Sequence, residues 1–190
     1  DNPRRRLALL AARWFERQPA CVVAVTGTNG KTSVAGFTRQ IWAGLGLAAG
    51  SLGTLGLDAG PVQRASNLTT PDPVLLHALL AEVAAAGIDH LALEASSHGL
   101  DQHRLDGVRL VAASFTNLSR DHFDYHGSLA GYLAAKRRLF SEILPPEGVA
   151  VLNADQPEYA PLAEVCRDRG IDVLDYGWRA ARLRLIAQTP

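Results

Sequence analysis

The chain contains no methionine in 190 residues, and lysine is almost as scarce: of 19 basic residues only Lys31 and Lys136 are lysines, the rest being arginines. A first residue other than methionine leads to the expectation of a longer gene product, with further domains on one or both sides. Only two cysteines occur, Cys21 and Cys166, far apart and without metal-type spacing; that argues against a disulfide framework and for a pair of reduced thiols. No uninterrupted apolar stretch approaches the roughly 18 residues of a membrane span, and no signal-type apolar core follows the N-terminal arginines. A cytoplasmic protein without membrane contact is expected. Charge of either sign is not in excess, the formal net charge being +0, so a nucleic-acid surface is not indicated, and Arg4-Arg5-Arg6 reads as a solvated terminal stretch.

What is present is an ordinary globular composition, 47% hydrophobic and 20% charged, with enough length for one well-buried core. Apolar positions from Leu7 to Phe15 recur at helical spacing, and Cys21 to Val25 is a short β-branched run. Helices are predicted over Lys31–Leu45, Val74–Ala86, Ser128–Leu144 and Tyr159–Arg169, and buried strands over His90–Glu94, Leu110–Thr116, Val149–Asn153 and Val173–Tyr176. Ser51–Leu57 and Pro61–Pro73 read as hairpin and loop, and Arg179–Pro190 as a further strand or a frayed segment. This alternation predicts an α/β fold with a mostly parallel, doubly wound sheet, whose ligands sit at the carboxyl ends of the strands.

The informative residues fall at those ends. Gly27, Thr28, Asn29, Gly30, Lys31, Thr32 and Ser33 lie between a buried strand and a helix, where glycines turn backbone N–H groups toward phosphate and the helix N-terminus adds a positive end. In that setting Lys31 reaches the β and γ oxygens of a nucleotide and the Thr32 hydroxyl ligates Mg2+. The loop is shorter than the standard phosphate loop, with Val25 where the first glycine would stand. Glu94 leaves its strand where the magnesium of a bound nucleotide would lie. A dense polar cluster runs from Asn117 to His126, and of its histidines His122 is the candidate ligand; His77, His90, His103 and His126 read as hydrogen-bonding residues. Arginine replaces lysine freely as a surface charge but not where a compact ammonium meets phosphate or where a neutral amine must react. Lys136, on the helix after the cluster, reads either as an ordinary solvated helix lysine or as a second candidate, because a desolvated amine reacts with carbon dioxide to give a metal-binding carbamate.

Taken together, Gly27–Thr32, Leu93–Leu100, Thr116–His126 and Ala135-Lys136 resemble, in order and spacing, the central ATP-binding domain of the Mur ligase family. Leu68–Pro73 and Gln102-His103-Arg104 resemble the branch that adds the third residue of the cell-wall peptide. The resemblance covers most of the chain, read as one central domain over residues 1–190, with an N-terminal UDP-binding and a C-terminal amino-acid-binding domain missing. It implies an ATP-dependent ligase that adds a diamino acid, meso-diaminopimelate or L-lysine, to UDP-N-acetylmuramoyl-L-alanyl-D-glutamate through an acyl phosphate. It further implies ATP held by Gly27–Ser33, one Mg2+ at Thr32 and Glu94, a second served by His122 and carbamylated Lys136, and substrate contacts from Thr69, Thr70, Ser96, Gln102 and Arg104. Lys31 and Lys136 are the expected catalytic residues, and the fragment alone is expected to be inactive. Asp1-Asn2-Pro3-Arg4 has the letters of a diaminopimelate-selecting motif, but it precedes the phosphate loop and is read as coincidence. The alternatives are another Mur ligase, folylpolyglutamate synthase with the same domain plan, or a nucleotide-binding module without catalysis. Thr32-Ser33 and Ser97–Leu100 favour the cell-wall enzyme.

Overall fold

The structure is a computed structural model that describes residues 2–119, 121 and 123–188, without the side chain of Phe123. Among these residues nine strands form one sheet, β1 (Cys21–Thr26), β2 (Ala49–Gly53), β3 (Gly56–Ala59), β4 (Val62–Arg64), β5 (His90–Glu94), β6 (Leu110–Phe115), β7 (Val149–Asn153), β8 (Asp172–Gly177) and β9 (Leu183–Arg184). They lie in the order β4-β3-β2-β5-β1-β6-β7-β8-β9. Pairing is parallel from β2 to β9, and β3 and β4 extend one edge as antiparallel hairpins. The expected doubly wound sheet is therefore present, with β1 at its centre and the strand after the first crossover, β2, two places away.

The helices are α1 (Pro3–Phe15), α2 (Lys31–Gly44), α3 (Pro73–Ala85), α4 (Ser97–Asp101), α5 (Phe123–His126), α6 (Leu129–Arg138) and α7 (Tyr159–Asp168). Their placement follows from handedness. A parallel crossover is right-handed, so the step from β1 leftward to β2 puts α2 on one face, and every rightward step puts its helix on the other. The core divides accordingly. Leu76, Leu80 and Val83 of α3 and Leu162 and Cys166 of α7 pack with Val22, Ala24, Leu91, Leu93 and Phe115 in the main cluster. Val25, Ala92 and Ala35 form a much smaller cluster under α2, with Val23 and Trp42 at its margin.

The structure corrects one sequence expectation, extends a second and adds two short helices. The helix predicted over Ser128–Leu144 is α-helical only to Arg138 and closes with a π turn over Leu139–Ile143. The Leu144 N–H donates to the Leu139 carbonyl at 2.9 Å, and the wider turn buries Leu139, Phe140 and Leu144 together. Arg4-Arg5-Arg6 is solvated as expected, but it already belongs to α1, which is started by Pro3 and capped by the Asn2 side chain, accepting from the Arg4 N–H at 3.0 Å. Within that turn Arg5 pairs with Asp106 at 3.1 Å. Finally, α4 and α5 were not foreseen, because five and four residues are too short to show a period.

Asp106 is a hub. Its carboxylate is 6% exposed, accepts from Arg5 and from the 13%-exposed Arg138, and faces His103 Nδ1 at 3.4 Å. It thereby ties α1 and α6 to the turn after α4. Removing one member of a buried ionic cluster strands the others. Asp106→Ala is expected to destabilise the fold by about 3 kcal/mol, a fall in Tm of about 6–12 °C for a domain of this size; a thermal melt in which the variant matches the parent would show that the cluster is energetically idle.

Candidate functional site

The loop between β1 and α2 is held open from beneath. Gly27 has φ +148°, a conformation that L side chains rarely adopt, and a Cβ there would overlap the Thr116 hydroxyl. The strand end of β6 then clamps the loop. The Asn117 carbonyl accepts from the Thr28 N–H at 2.9 Å, the Asn117 side chain accepts from the Asn29 N–H at 3.0 Å, and the Thr116 hydroxyl donates to the Asn29 carbonyl at 2.7 Å. α2 begins at Gly30 with no side-chain cap and no acidic residue in its first turn. Its first N–H groups thus lack a side-chain acceptor, which suits an anion.

Both lysines of the chain meet at this loop. Lys31 Nζ donates to the carbonyls of Gly27 at 3.0 Å and Thr28 at 2.9 Å. Lys136 Nζ, 1% exposed as a residue, donates to the same Gly27 carbonyl at 2.7 Å. Tyr132, one helical turn before Lys136, carries the ammonium over its ring at 4.3 Å and donates from its hydroxyl to Thr28 Oγ1 at 3.3 Å. Burial, and next the Lys31 charge, push the Lys136 amine down to about 7, with Asp121 opposing. Burial also lowers Lys31, against the pull of Glu94 and Asp121.

Glu94, 3% exposed, ends β5. Its carboxylate accepts from the Thr54 N–H at 2.9 Å and the Thr54 hydroxyl at 3.2 Å, and Thr54 in turn meets the Thr69 hydroxyl at 3.0 Å. A Cβ on Gly53 would overlap the carboxylate, so glycine is what lets β2 approach it. Glu94 and Thr32 line one cavity of about 600 Å³ beside α2.

The remaining candidates form a chain of hydrogen bonds behind Glu94. The Thr70 hydroxyl donates to the Glu94 carbonyl at 2.8 Å and accepts from Ser96 N–H and Oγ, both at 3.0 Å. Thr70 is 2% exposed, so its hydroxyl positions Ser96 and the strand end. Arg104 donates to the Thr70 carbonyl and the Gln102 side chain, each at 2.7 Å, and the Gln102 amide donates to the Tyr125 hydroxyl at 3.1 Å. The structure therefore brings together two groups, the loop with both lysines, and Glu94 with Thr69, Thr70, Ser96, Gln102 and Arg104. Ser33 sits exposed in the first turn of α2. His122 lies outside the described residues. Thr54 and Tyr132 were missed by sequence reasoning; Tyr132 was discoverable from its i,i+4 relation to Lys136, and Thr54 only as a polar residue in a Gly-rich segment.

These features define a doubly wound α/β protein with a strand–loop–helix turn at its central strand, where the uncapped helix start suits an anion. The chain belongs to the Mur ligase family, whose middle domain matches residues 25–188. A relative from Bradyrhizobium diazoefficiens, named UDP-N-acetylmuramoyl-L-alanyl-D-glutamate--2,6-diaminopimelate ligase, is 58% identical over 176 residues, which is 93% of this chain and 36% of the relative. A solved structure of a ligase of that name superposes with a TM-score of 0.84 at 32% identity, over 95% of this chain and 37% of the other. A bifunctional folylpolyglutamate synthase/dihydrofolate synthase from Yersinia pestis, solved with AMPPNP and a Mn ion, has a TM-score of 0.70 at 17% identity, over 92% of this chain and 47% of that one, and shares the fold alone. The chain thus spans little more than a third of the length of the ligases it matches.

Lys136 sets a testable dependence on pH. The unfolded lysine keeps its proton up to the ordinary value of 10.5 and the folded one releases it near about 7, so between those values the unfolded chain binds the extra proton and stability rises with pH. Lys136→Met removes this contribution. In carbon-dioxide-free buffer the Tm of the variant, relative to the parent, is expected to fall as pH is raised from 6 to 9; a difference that stays constant would mean that the buried amine does not titrate there.

Proposed function

We propose that the full-length protein is an ATP-dependent ligase that joins 2,6-diaminopimelate to UDP-N-acetylmuramoyl-L-alanyl-D-glutamate in cell-wall precursor synthesis, and that this chain supplies its ATP and metal site. The observation that carries the reading is the meeting of Lys31 and Lys136, the only lysines, on the Gly27 carbonyl. A plain nucleotide binder needs the first but not the second. Identity of 58% to a protein named for this reaction supports the substrate assignment over L-lysine and over the folate enzymes.

The residues present fit the groups the reading requires. The uncapped start of α2 and the open loop suit phosphates. Glu94, whose oxygens are fixed by Thr54 but not consumed, and the Thr32 hydroxyl are hard oxygen donors of the kind Mg2+ takes alongside phosphate and water. When bound, such an ion neutralises charge on the transferring phosphoryl group. In this reading the N–H groups of Gly27 to Ser33 and the Lys31 ammonium hold the nucleotide in line. The substrate carboxylate attacks the γ-phosphorus of ATP and ADP leaves, and the incoming amine then attacks the acyl carbon and expels phosphate, giving the amide and a proton. Thr69, Ser96, Gln102 and Arg104 are assigned to the sugar-peptide, with Thr70 ordering them. His122 and Lys136, as its carbamate, are assigned to a second cation.

The test is phosphate release from Mg-ATP by the full-length protein with the sugar-dipeptide substrate and either 2,6-diaminopimelate or L-lysine. Release that requires the former is expected; release with L-lysine alone, or only with a folate and glutamate, would reassign the enzyme. Gly53→Ala, which drives a methyl into the Glu94 carboxylate, is expected to lower turnover at least 10-fold, roughly the loss of one metal-positioning contact. Lys136→Ala is expected to abolish ligation and to remove a carbamate resonance seen with 13C-bicarbonate; full activity in that variant would sink the carbamate role.

A further inference from the structure

α4 ends between two of the residues assigned to the sugar-peptide. Gln102 is its C-cap, the His103 N–H donates to the Leu100 carbonyl at 3.1 Å, and the Arg104 N–H donates to the Gly99 carbonyl at 2.8 Å. These are the paired closing bonds of a helix whose next residue turns left-handed. That next residue is His103, with φ +60°. Glycine is the usual occupant of such a position because it meets no Cβ penalty there, so a histidine needs a compensating contact. The ring has one at each nitrogen. The Asn2 side-chain amide donates to Nε2 at 2.8 Å, and Nδ1 lies 3.4 Å from both carboxylate oxygens of Asp106. The Asn2 amide has a fixed orientation, since its oxygen caps α1 by accepting from the N–H groups of Arg4 and Arg5 at 3.0 and 3.4 Å. Nε2 is therefore the acceptor, and the ring proton sits on Nδ1, facing Asp106.

We propose, resting on the assignment of Gln102 and Arg104 to the sugar-peptide, that His103 is the positioning residue for both: its left-handed backbone, anchored through the ring to Asn2 and Asp106, sets where its two neighbours point. The link is short. Arg104 follows the left-handed residue and so leaves the helical path, and its guanidinium reaches the Thr70 carbonyl and the Gln102 side chain at 2.7 Å each. Both acceptors are neutral, so Arg104 pairs with no acid among the described residues, and its full charge is left for a negative group of the ligand. Gln102 is aligned in turn, its oxygen taken by Arg104 and its amide donating to the Tyr125 hydroxyl at 3.1 Å. Because the two side chains are tied to each other, a shift at His103 moves both contacts together. Asp106, which orients the ring, is itself held by Arg5 and Arg138, each at 3.1 Å, so the start of α1 and the end of α6 converge on one ligand-facing turn. Glycine at position 103 would keep the turn and lose both anchors, which separates positioning from helix termination.

The experiment is steady-state kinetics of the full-length protein with Mg-ATP, the sugar-dipeptide and 2,6-diaminopimelate. His103→Gly relieves the left-handed backbone, and its thermal melt is expected to stay within about 4 °C of the parent. Its KM for the sugar-dipeptide is expected to rise about 10-fold, the weight of one to two hydrogen bonds, while kcat and the KM for ATP stay within about twofold. Asn2→Ser keeps a cap for α1 but is too short to reach Nε2 as well; it is expected to raise the same KM about 5-fold, and the double variant no further than His103→Gly alone, since both act through one ring. An unchanged sugar-dipeptide KM in His103→Gly, or additive effects in the double variant, would mean that His103 only ends α4 and would overturn the positioning role. Arg104→Ala separates this role from the assignment beneath it. If Arg104→Ala raises that KM and His103→Gly does not, the assignment stands and the positioning fails; if Arg104→Ala leaves it at the parental value, the assignment itself fails and the positioning with it.

Discussion

Two ammonium groups aimed at a single carbonyl oxygen are the constraint on which the rest of the site depends. The Gly27 carbonyl accepts from Lys31 and Lys136 at 3.0 and 2.7 Å, and like charges so placed, one of them buried, cannot both be retained cheaply. The structure resolves the conflict on the buried side: Lys136 is pushed to about 7 by burial and by Lys31, and the Tyr132 ring offers its face to whatever charge remains. A lysine made neutral near physiological pH is chemically a different residue, a nucleophilic amine rather than a cation. Lys31, by contrast, has Glu94 as a countercharge besides the Asp121 it shares with Lys136, and in the proposed reading it is the partner for phosphate.

That arrangement needs a carbonyl fixed in space, and the fixing is done by neighbouring strand ends. Gly27 takes a backbone conformation that L side chains rarely adopt, and the Thr116 hydroxyl also stands where a side chain would go. Thr116 and Asn117 grip both sides of the loop. β5 on the other flank delivers Glu94, and Gly53 of β2 lets Thr54 grip its carboxylate. Four strands, β2, β5, β1 and β6, thus each place one component, and their parallel registers keep the components at one level. The site is a property of the carboxyl ends of these interior strands more than of the loop that names it.

The fold was legible because its elements announce themselves locally. Hydrophobic runs bounded by glycine and proline located β5 and β7 to the residue, and the alternation of strands with helices is enough to imply a parallel sheet. The loop and Glu94 were legible because strand ends are where such folds bind ligands. Thr54 and the Asp106 cluster were not, since each acts on a partner distant in sequence: Thr54 lies 40 residues from Glu94 and Arg5 101 from Asp106, and although the i,i+4 relation of Tyr132 to Lys136 was readable, its bond to Thr28 spans 104. Periodicity carries no information about such pairs. The π turn after Arg138 was hidden for another reason, because its side-chain spacing is still helical and only the packing of Leu139, Phe140 and Leu144 selects the wider turn.

The distribution of basic residues closes the same argument from the other side. Where the fold needs a forked, permanently charged donor it uses arginine: Arg169 reaches the carbonyls of Phe140 and Leu144 at 2.5 and 2.7 Å, Arg104 spans Thr70 and Gln102, and Arg138 joins Asp106 to Glu142. In each of these places the planar geometry of the guanidinium satisfies two acceptors at once. At the Gly27 carbonyl that permanence would be the defect, for a guanidinium in the place of Lys136 would hold a second full charge against Lys31 and could not be neutralised by burial. The presence of lysine at both positions here thus fits the proposed reading, in which this loop needs a compact cation beside an amine able to give up its charge.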